Sequence, residues 1–192
     1  MLSLSHSNQD FLDQLRNFLT IIPQKYVDAL LTLHEKLKDR NVKWIVSGDL
    51  GERLRLVKVD PDLIEIVSSK NGAEQIFEAV QEFTPQKVTF QTKQLARNAV
   101  ITGEEFPVYS RSYYFEFNVN DVNVKVQGDL QYKVGKWDWG EVFDFTPEYV
   151  YVTGKKIAVT SLLIQYEFYQ SLGWLDRAEK IVRIIKKPPR AK

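Results

Sequence analysis

Three carboxylates, Asp60, Asp62 and Glu65, stand close together in the first third of the chain. Close-set carboxylate oxygens are what a hard divalent cation requires. Upstream, Gly48 interrupts an apolar run ahead of a short helical stretch, and a glycine between strand and helix is a turn through which backbone N–H groups can reach a phosphate. Taken alone, one glycine says only that a strand ends in a tight turn. Asp49 follows it and brings a negative charge to that turn. A cation, Lys125, and another carboxylate, Glu116, fall in a later segment.

These side chains need elements to hold them. Lys43-Trp44-Ile45-Val46 reads as a strand, Ser47-Gly48-Asp49 as its break, and Leu50–Leu56 as a short helix. After Asp60-Pro61-Asp62, Leu63–Val67 reads as a second apolar strand, and Asn71 opens a helix that buries Ala73, Ile76, Phe77, Val80 and Phe83. Strand then helix, twice, predicts an α/β layer. Ser112–Val119 and Val122–Gln127 alternate with period two around Asn120-Asp121, a pair suited to the φ > 0 turn of a tight hairpin. Counting from that turn sets Val119 against Val122, Phe117 against Val124 and Glu116 against Lys125, the last two forming a cross-strand ion pair. Tyr113, Phe115, Phe117 and Val119 then share a buried face with Val122, Val124 and Val126. Tyr114, Glu116, Asn118, Asn123, Lys125 and Gln127 lie on the polar one.

Residues 8–19 form an amphipathic helix behind Ser7, and a second helix runs from Pro23 to Asn41. Residues 135–156 read as an aromatic loop, with Trp137, Trp139, Phe143 and Phe145 and a short strand at 149–152. From Thr160 a helical stripe through Leu162, Leu163, Tyr166, Tyr169 and Leu172 stops at Gly173. Another, through Leu175, Ala178, Ile181, Val182 and Ile185, ends before Pro188-Pro189. The expected organisation is one domain over 1–192, with an α/β core at 20–158, a C-terminal helical pair at 159–187 and a basic tail at 188–192.

Composition narrows the chemistry. Among 192 residues there are no cysteines and two histidines, which excludes disulfides, thiolate metal sites, Cys nucleophiles and the usual zinc enzymes. A net charge of +1 gives no long-range field toward nucleic acid or an anionic membrane, so any basic site must be local. A 44% hydrophobic share supports a sizeable core. No run reaches a membrane span, and residues 1–6 lack the basic start and apolar run of a signal peptide, so the expected location is the cytoplasm.

The order of these elements resembles the nucleotidyltransferase superfamily, in particular its small archaeal and bacterial members. The resemblance extends to Asn71-Gly72-Ala73, to Val126-Gln127-Gly128-Asp129-Leu130 and to the ending from Leu172-Gly173-Trp174 through Ile181, and it covers most of the chain from about residue 23. It implies a mixed α/β fold, a core sheet flanked by helices and a C-terminal helical hairpin. It also implies a glycine turn that holds a nucleotide triphosphate, two carboxylates in an Asp-x-Asp pattern on the next strand, and a third acid on a neighbouring strand. Together these hold two magnesium ions.

In the register that the resemblance implies, Leu63 takes the seat of the first acid, Glu65 the second, and Lys125, or its neighbour Asn123, the third. One carboxylate of three survives. The resemblance then implies a degenerate member with Glu65 as its remaining catalytic-site acid. A remnant pocket at Gly48, Asp49 and Lys125 would take a nucleotide, another ligand or a partner protein, and no cofactor is required. The alternative gives the metals to Asp60, Asp62 and Glu65, with Glu65 or Asp129 as third ligand, and makes the chain an active enzyme that uses Mg and NTP. Against it, Pro61 suits a turn better than a ligand-bearing strand. A third reading binds RNA or DNA through Trp137-Asp138-Trp139-Gly140 and the basic tail, although such a tryptophan pair more often covers a core edge.

Overall fold

The computed structural model describes residues 22–143 and 146–186. The expected helix at 8–19, the tail at 188–192 and Phe145 lie outside the described residues. In order, the elements are α1 (Gln24–Leu37), β1 (Trp44–Ser47), α2 (Gly48–Leu54), β2 (Ile64–Ser68), α3 (Lys70–Ala79) and a 3-10 turn (Gln81–Phe83). Then come β3 (Thr89–Gln94), β4 (Ala99–Ile101), β5 (Glu104–Phe106), β6 (Val108–Val119), β7 (Val122–Val134), β8 (Pro147–Val152), β9 (Lys155–Thr160), α4 (Leu162–Ser171) and α5 (Leu175–Ile185).

Seven strands form one mixed sheet in the order β3-β6-β7-β2-β1-β9-β8, and β4 and β5 pair separately. One face is apolar. There Val46, Ile64, Ile66, Phe115, Val124 and Val126 are buried beneath α1 and α3. The other face carries Glu65 and Lys125, and α4 and α5 pack as a second core against Val57, Ala99 and Val108. This is the mixed α/β fold with a C-terminal helical pair that the sequence predicts.

The β6–β7 hairpin keeps the counted register, Val119 on Val122, Phe117 on Val124 and Glu116 on Lys125. Asn120 and Asp121 both adopt the left-handed conformation that a two-residue turn needs, at φ 49° and 62°. Its polar face is open to solvent at Asn118 but closed further from the turn. Tyr114 and Gln127 are 4% and 6% exposed, and Lys93 of β3 lies over the Tyr114 ring at 3.6 Å. An irregularity between Arg111 and Tyr113 shifts the pairing there, so the simple alternation fails at that point.

Several boundaries differ from expectation: both hairpin strands extend further from the turn, to Val108 and Val134, and the short helix spans Gly48–Leu54 rather than Leu50–Leu56. α1 stops at Leu37 rather than Asn41, because Lys38–Asn41 offers nothing apolar to bury and the chain turns through bonds from Lys38 N to His34 O and Arg40 N to Leu37 O. α3 starts at Lys70, capped by Ser69, whose hydroxyl accepts from Gly72 N at 3.0 Å. The expected loop through 156 instead contains a hairpin whose second strand, β9, runs parallel to β1 inside the sheet, between β1 and the edge strand β8. Its turn, Thr153-Gly154, has φ 46° and 81°.

Candidate functional site

β1, β2 and β7 bring Ser47, Glu65 and Lys125 into one row, since Ser47 pairs with Glu65 and Glu65 with Lys125. Period two puts Leu63, Glu65 and Val67 on the same side of β2. Lys125 Nζ donates to Glu65 Oε1 at 2.6 Å. The expected Lys125–Glu116 ion pair is therefore corrected. Glu116 does lie opposite Lys125, but the lysine reaches across to its parallel neighbour, where both side chains are largely shielded from water and their charges attract more strongly than in the open.

Glu65 also packs against Gly48, which has φ +61°. A Cβ there would run into the Glu65 carboxylate, which would have to shift to make room, and the left-handed φ itself favours glycine.

Asp49, in the first turn of α2, does not stand free in the turn. It is bonded to Arg177 Nη2, which also lies 2.8 Å from Glu52 Oε1 and 3.1 Å from the Tyr169 hydroxyl. Tyr169 in turn donates to Glu52 Oε1. Glu52 is fully buried, and its Oε2 has no hydrogen-bond partner. Burial pushes the Glu52 carboxyl above its usual range, opposed by Arg177 and the Tyr169 hydroxyl. Burial, then the Glu52 charge, pushes Tyr169 up as well. For Arg177 burial acts downward, but Tyr169 and Glu52 outweigh it and hold the guanidinium above its ordinary value. Across the site, burial and then the Glu65 charge raise Tyr132.

Asp60 and Asp62 precede β2 and are both exposed. Asp62 lines a cavity of about 310 Å³ together with Gly48, Asp49, Glu65, Arg97 and Arg177, whereas Asp60 does not. Asp129 accepts a hydrogen bond from Lys70 N at 2.8 Å, at the start of α3, and is not part of that cavity. Among the described residues no three His, Cys, Asp or Glu side chains are grouped to hold a metal ion. The aromatic loop spends its rings on its own chain: Trp137 stacks on Phe106 at 6.0 Å and Arg111 lies over Trp139 at 4.5 Å. Trp174, near the cavity, is buried and donates to Asn98 O at 2.7 Å.

Sequence reading missed Glu52, Arg177 and Tyr132. On a seven-residue helix Glu52 is nearly opposite Leu50 and Leu54, which reads as the solvent side until α4 and α5 are known to cover it. The available signal was Gly51, whose missing Cβ lets α2 press onto Val46 O; a Cβ there would lie 2.8 Å from that oxygen.

The family model for aminoglycoside-2''-adenylyltransferase matches residues 29–182. No functionally curated protein matches the chain. Among solved structures, a candidate nucleotidyltransferase of Thermotoga maritima is 24% identical, with a TM-score of 0.62 over 87% of this chain and 96% of that one. ANT(2'')-Ia in complex with adenylyl-2''-tobramycin is 7% identical, with a TM-score of 0.48 over 83% and 89%. The lincomycin-bound lincosamide adenylyltransferase LnuA is 10% identical, with a TM-score of 0.45 over 85% and 98%. At such identities the likeness is one of fold alone.

Proposed function

The chain belongs to the aminoglycoside-2''-adenylyltransferase family, and from that premise we propose that it is a degenerate member that has lost metal-dependent nucleotidyl transfer. It keeps the pocket around Gly48, Asp49, Glu65 and Lys125 for a nucleotide, another ligand or a partner protein. The observation that carries this reading is the Lys125–Glu65 pair. An ammonium bonded to the one acid at the expected metal seats repels a divalent ion: two unit charges at 4 Å cost about 4 kcal/mol at an effective dielectric of 20, and a divalent ion roughly doubles that.

The remaining donors do not fit a pair of divalent cations. Asp49 and Glu52 are held by Arg177, and Leu63 supplies no oxygen. Glu65 lies against Gly48, in the space a phosphate would need to approach that turn. The test is transfer of labelled nucleotide from Mg-NTP to hydroxyl acceptors, aminoglycosides included. No transfer is expected. Transfer that Glu65→Gln abolishes would overturn the reading.

One observation favours a second reading, in which Asp60, Asp62 and Glu65 hold Mg and the chain transfers nucleotide from NTP: Asp62 and Glu65 share a cavity. Under it, Mg-dependent NTP binding exists and Asp62→Asn removes it.

A further inference from the structure

A groove of about 850 Å³ opens at the other end of β1 from Gly48. Its floor is apolar, made by Ile45, Val67 and Ala158, and among the described residues its walls carry Lys38, Arg40, Lys43 and Lys156 against a single carboxylate, Asp129. Lys38 is already bonded to Glu35 at 2.6 Å, and Asp129 accepts from Lys70 N. Arg40 and Lys43 have no ion-pair partner among the described residues. This is the reverse of the Gly48 pocket, where Lys125, Arg97 and Arg177 are each held by a carboxylate.

The register sharpens the contrast. β1 and β9 run parallel with Val46 beside Val159, and carrying that alignment back along both strands sets Lys43 beside Lys156. Like charges on adjacent strands repel unless an anion sits between them. Beside them Tyr149 is half exposed, with Lys156 Nζ 4.0 Å from its ring centroid. Arg40 and Lys43, without ion-pair partners, next to an accessible aromatic ring over an apolar floor suit a ligand with both a phosphate and a planar ring. The local charge excess exists although the whole chain carries only +1.

We propose that this groove binds a nucleotide unit, free or within a single strand, with its phosphate at Arg40, Lys43 and Lys156 and its base against Tyr149. The site is separate from the Gly48 pocket and does not depend on that pocket's function.

The test uses the full chain with two probes: AMP followed by calorimetry, and a fluorescein-labelled single-stranded oligothymidylate of about ten nucleotides followed by anisotropy over a salt series. At low salt at least one probe binds. Combining Arg40→Ala with Lys43→Ala weakens that binding at least about tenfold and lowers the salt slope by about two for the oligonucleotide. Tyr149→Ala weakens it too, while Lys180→Ala, an exposed charge on α5, leaves it within about twofold. Both variant sites are exposed, and circular dichroism confirms that the variants fold. Binding of AMP assigns the groove to free nucleotide, and binding of the oligonucleotide alone assigns it to a strand. The proposal is overturned if neither probe binds, if the double variant leaves affinity unchanged, or if Lys180→Ala weakens binding equally.

Discussion

Lys125 and Glu65 face each other in register on neighbouring parallel strands, and the ammonium donates to the carboxylate at 2.6 Å. The side chains are 23% and 28% exposed, so water screens the pair only in part. Each therefore relies on the other for most of its compensation.

Lys125→Met and Glu65→Gln should each lower stability by about 1–2 kcal/mol, the cost of leaving a half-shielded charge without its partner. The double variant should cost less than the sum, with a coupling of roughly 1 kcal/mol in urea unfolding. Additivity would mean that the pair is a geometric coincidence.

Glu52 makes a prediction about pH. Its carboxyl is raised in the folded state by burial, so the folded protein holds that proton at pH values where the unfolded chain has released it. The stability from Glu52 is full below its unfolded value of 4.5 and declines as pH rises through the raised folded value. Glu35 acts in the opposite direction and lower down, because its bonds to Lys38 and Lys155 hold it at about 2. Stability gained from Glu35 is present above about 4.5 and is lost as pH falls toward about 2. The difference in unfolding free energy between Glu52→Gln and the parent isolates Glu52. Glu52→Gln should gain relative to the parent as pH rises above 4.5. A flat difference across that range would show that Arg177 and Tyr169 fully compensate the buried charge.

The hairpin register was legible because Asn120-Asp121 fixes it locally, and with it Glu116 opposite Lys125. The partner Lys125 actually takes was not, since Glu65 arrives from a strand 60 positions away and only the sheet order reveals it. β9 was hidden for a related reason. Lys155-Lys156 looks like loop, and Ile157–Thr160 runs into the helical pattern of α4, so this parallel strand has no boundary of its own in the sequence. That Gly48 lies beside Glu65, with Lys125 one strand over, followed from the element order behind the family resemblance. The Asp49–Arg177–Glu52–Tyr169 cluster was not, because it joins α2 to two helices more than a hundred residues later.

Gly48→Ala tests how closely Glu65 fills the turn. The left-handed φ alone should cost about 1–2 kcal/mol. The new methyl must also displace the Glu65 carboxylate and so weaken its bond to Lys125. Thermal or urea unfolding of Gly48→Ala in the parent and in a Glu65→Ala background separates the two costs. The substitution should be cheaper in the second, and equal costs would show that the carboxylate moves aside freely.

Restoring the acids tests the metal seats. Leu63 lines the same cavity as Glu65, and residue 125 pairs with 65 in register, so Leu63→Asp combined with Lys125→Asp places three carboxylates around one space. Without a divalent ion the variant should be less stable than the parent, since three like charges share a partly shielded pocket. With Mn2+ at a hundredfold its dissociation constant, the gain should be about 2.7 kcal/mol, which at roughly 2–4 °C per kcal/mol for a chain of this size is a readily measured rise in Tm. The parent should show no such rise. A parent that responds to Mn2+ as the variant does would mean that Lys125 does not occupy a metal seat, and the choice between a degenerate and a working enzyme would turn on Asp62.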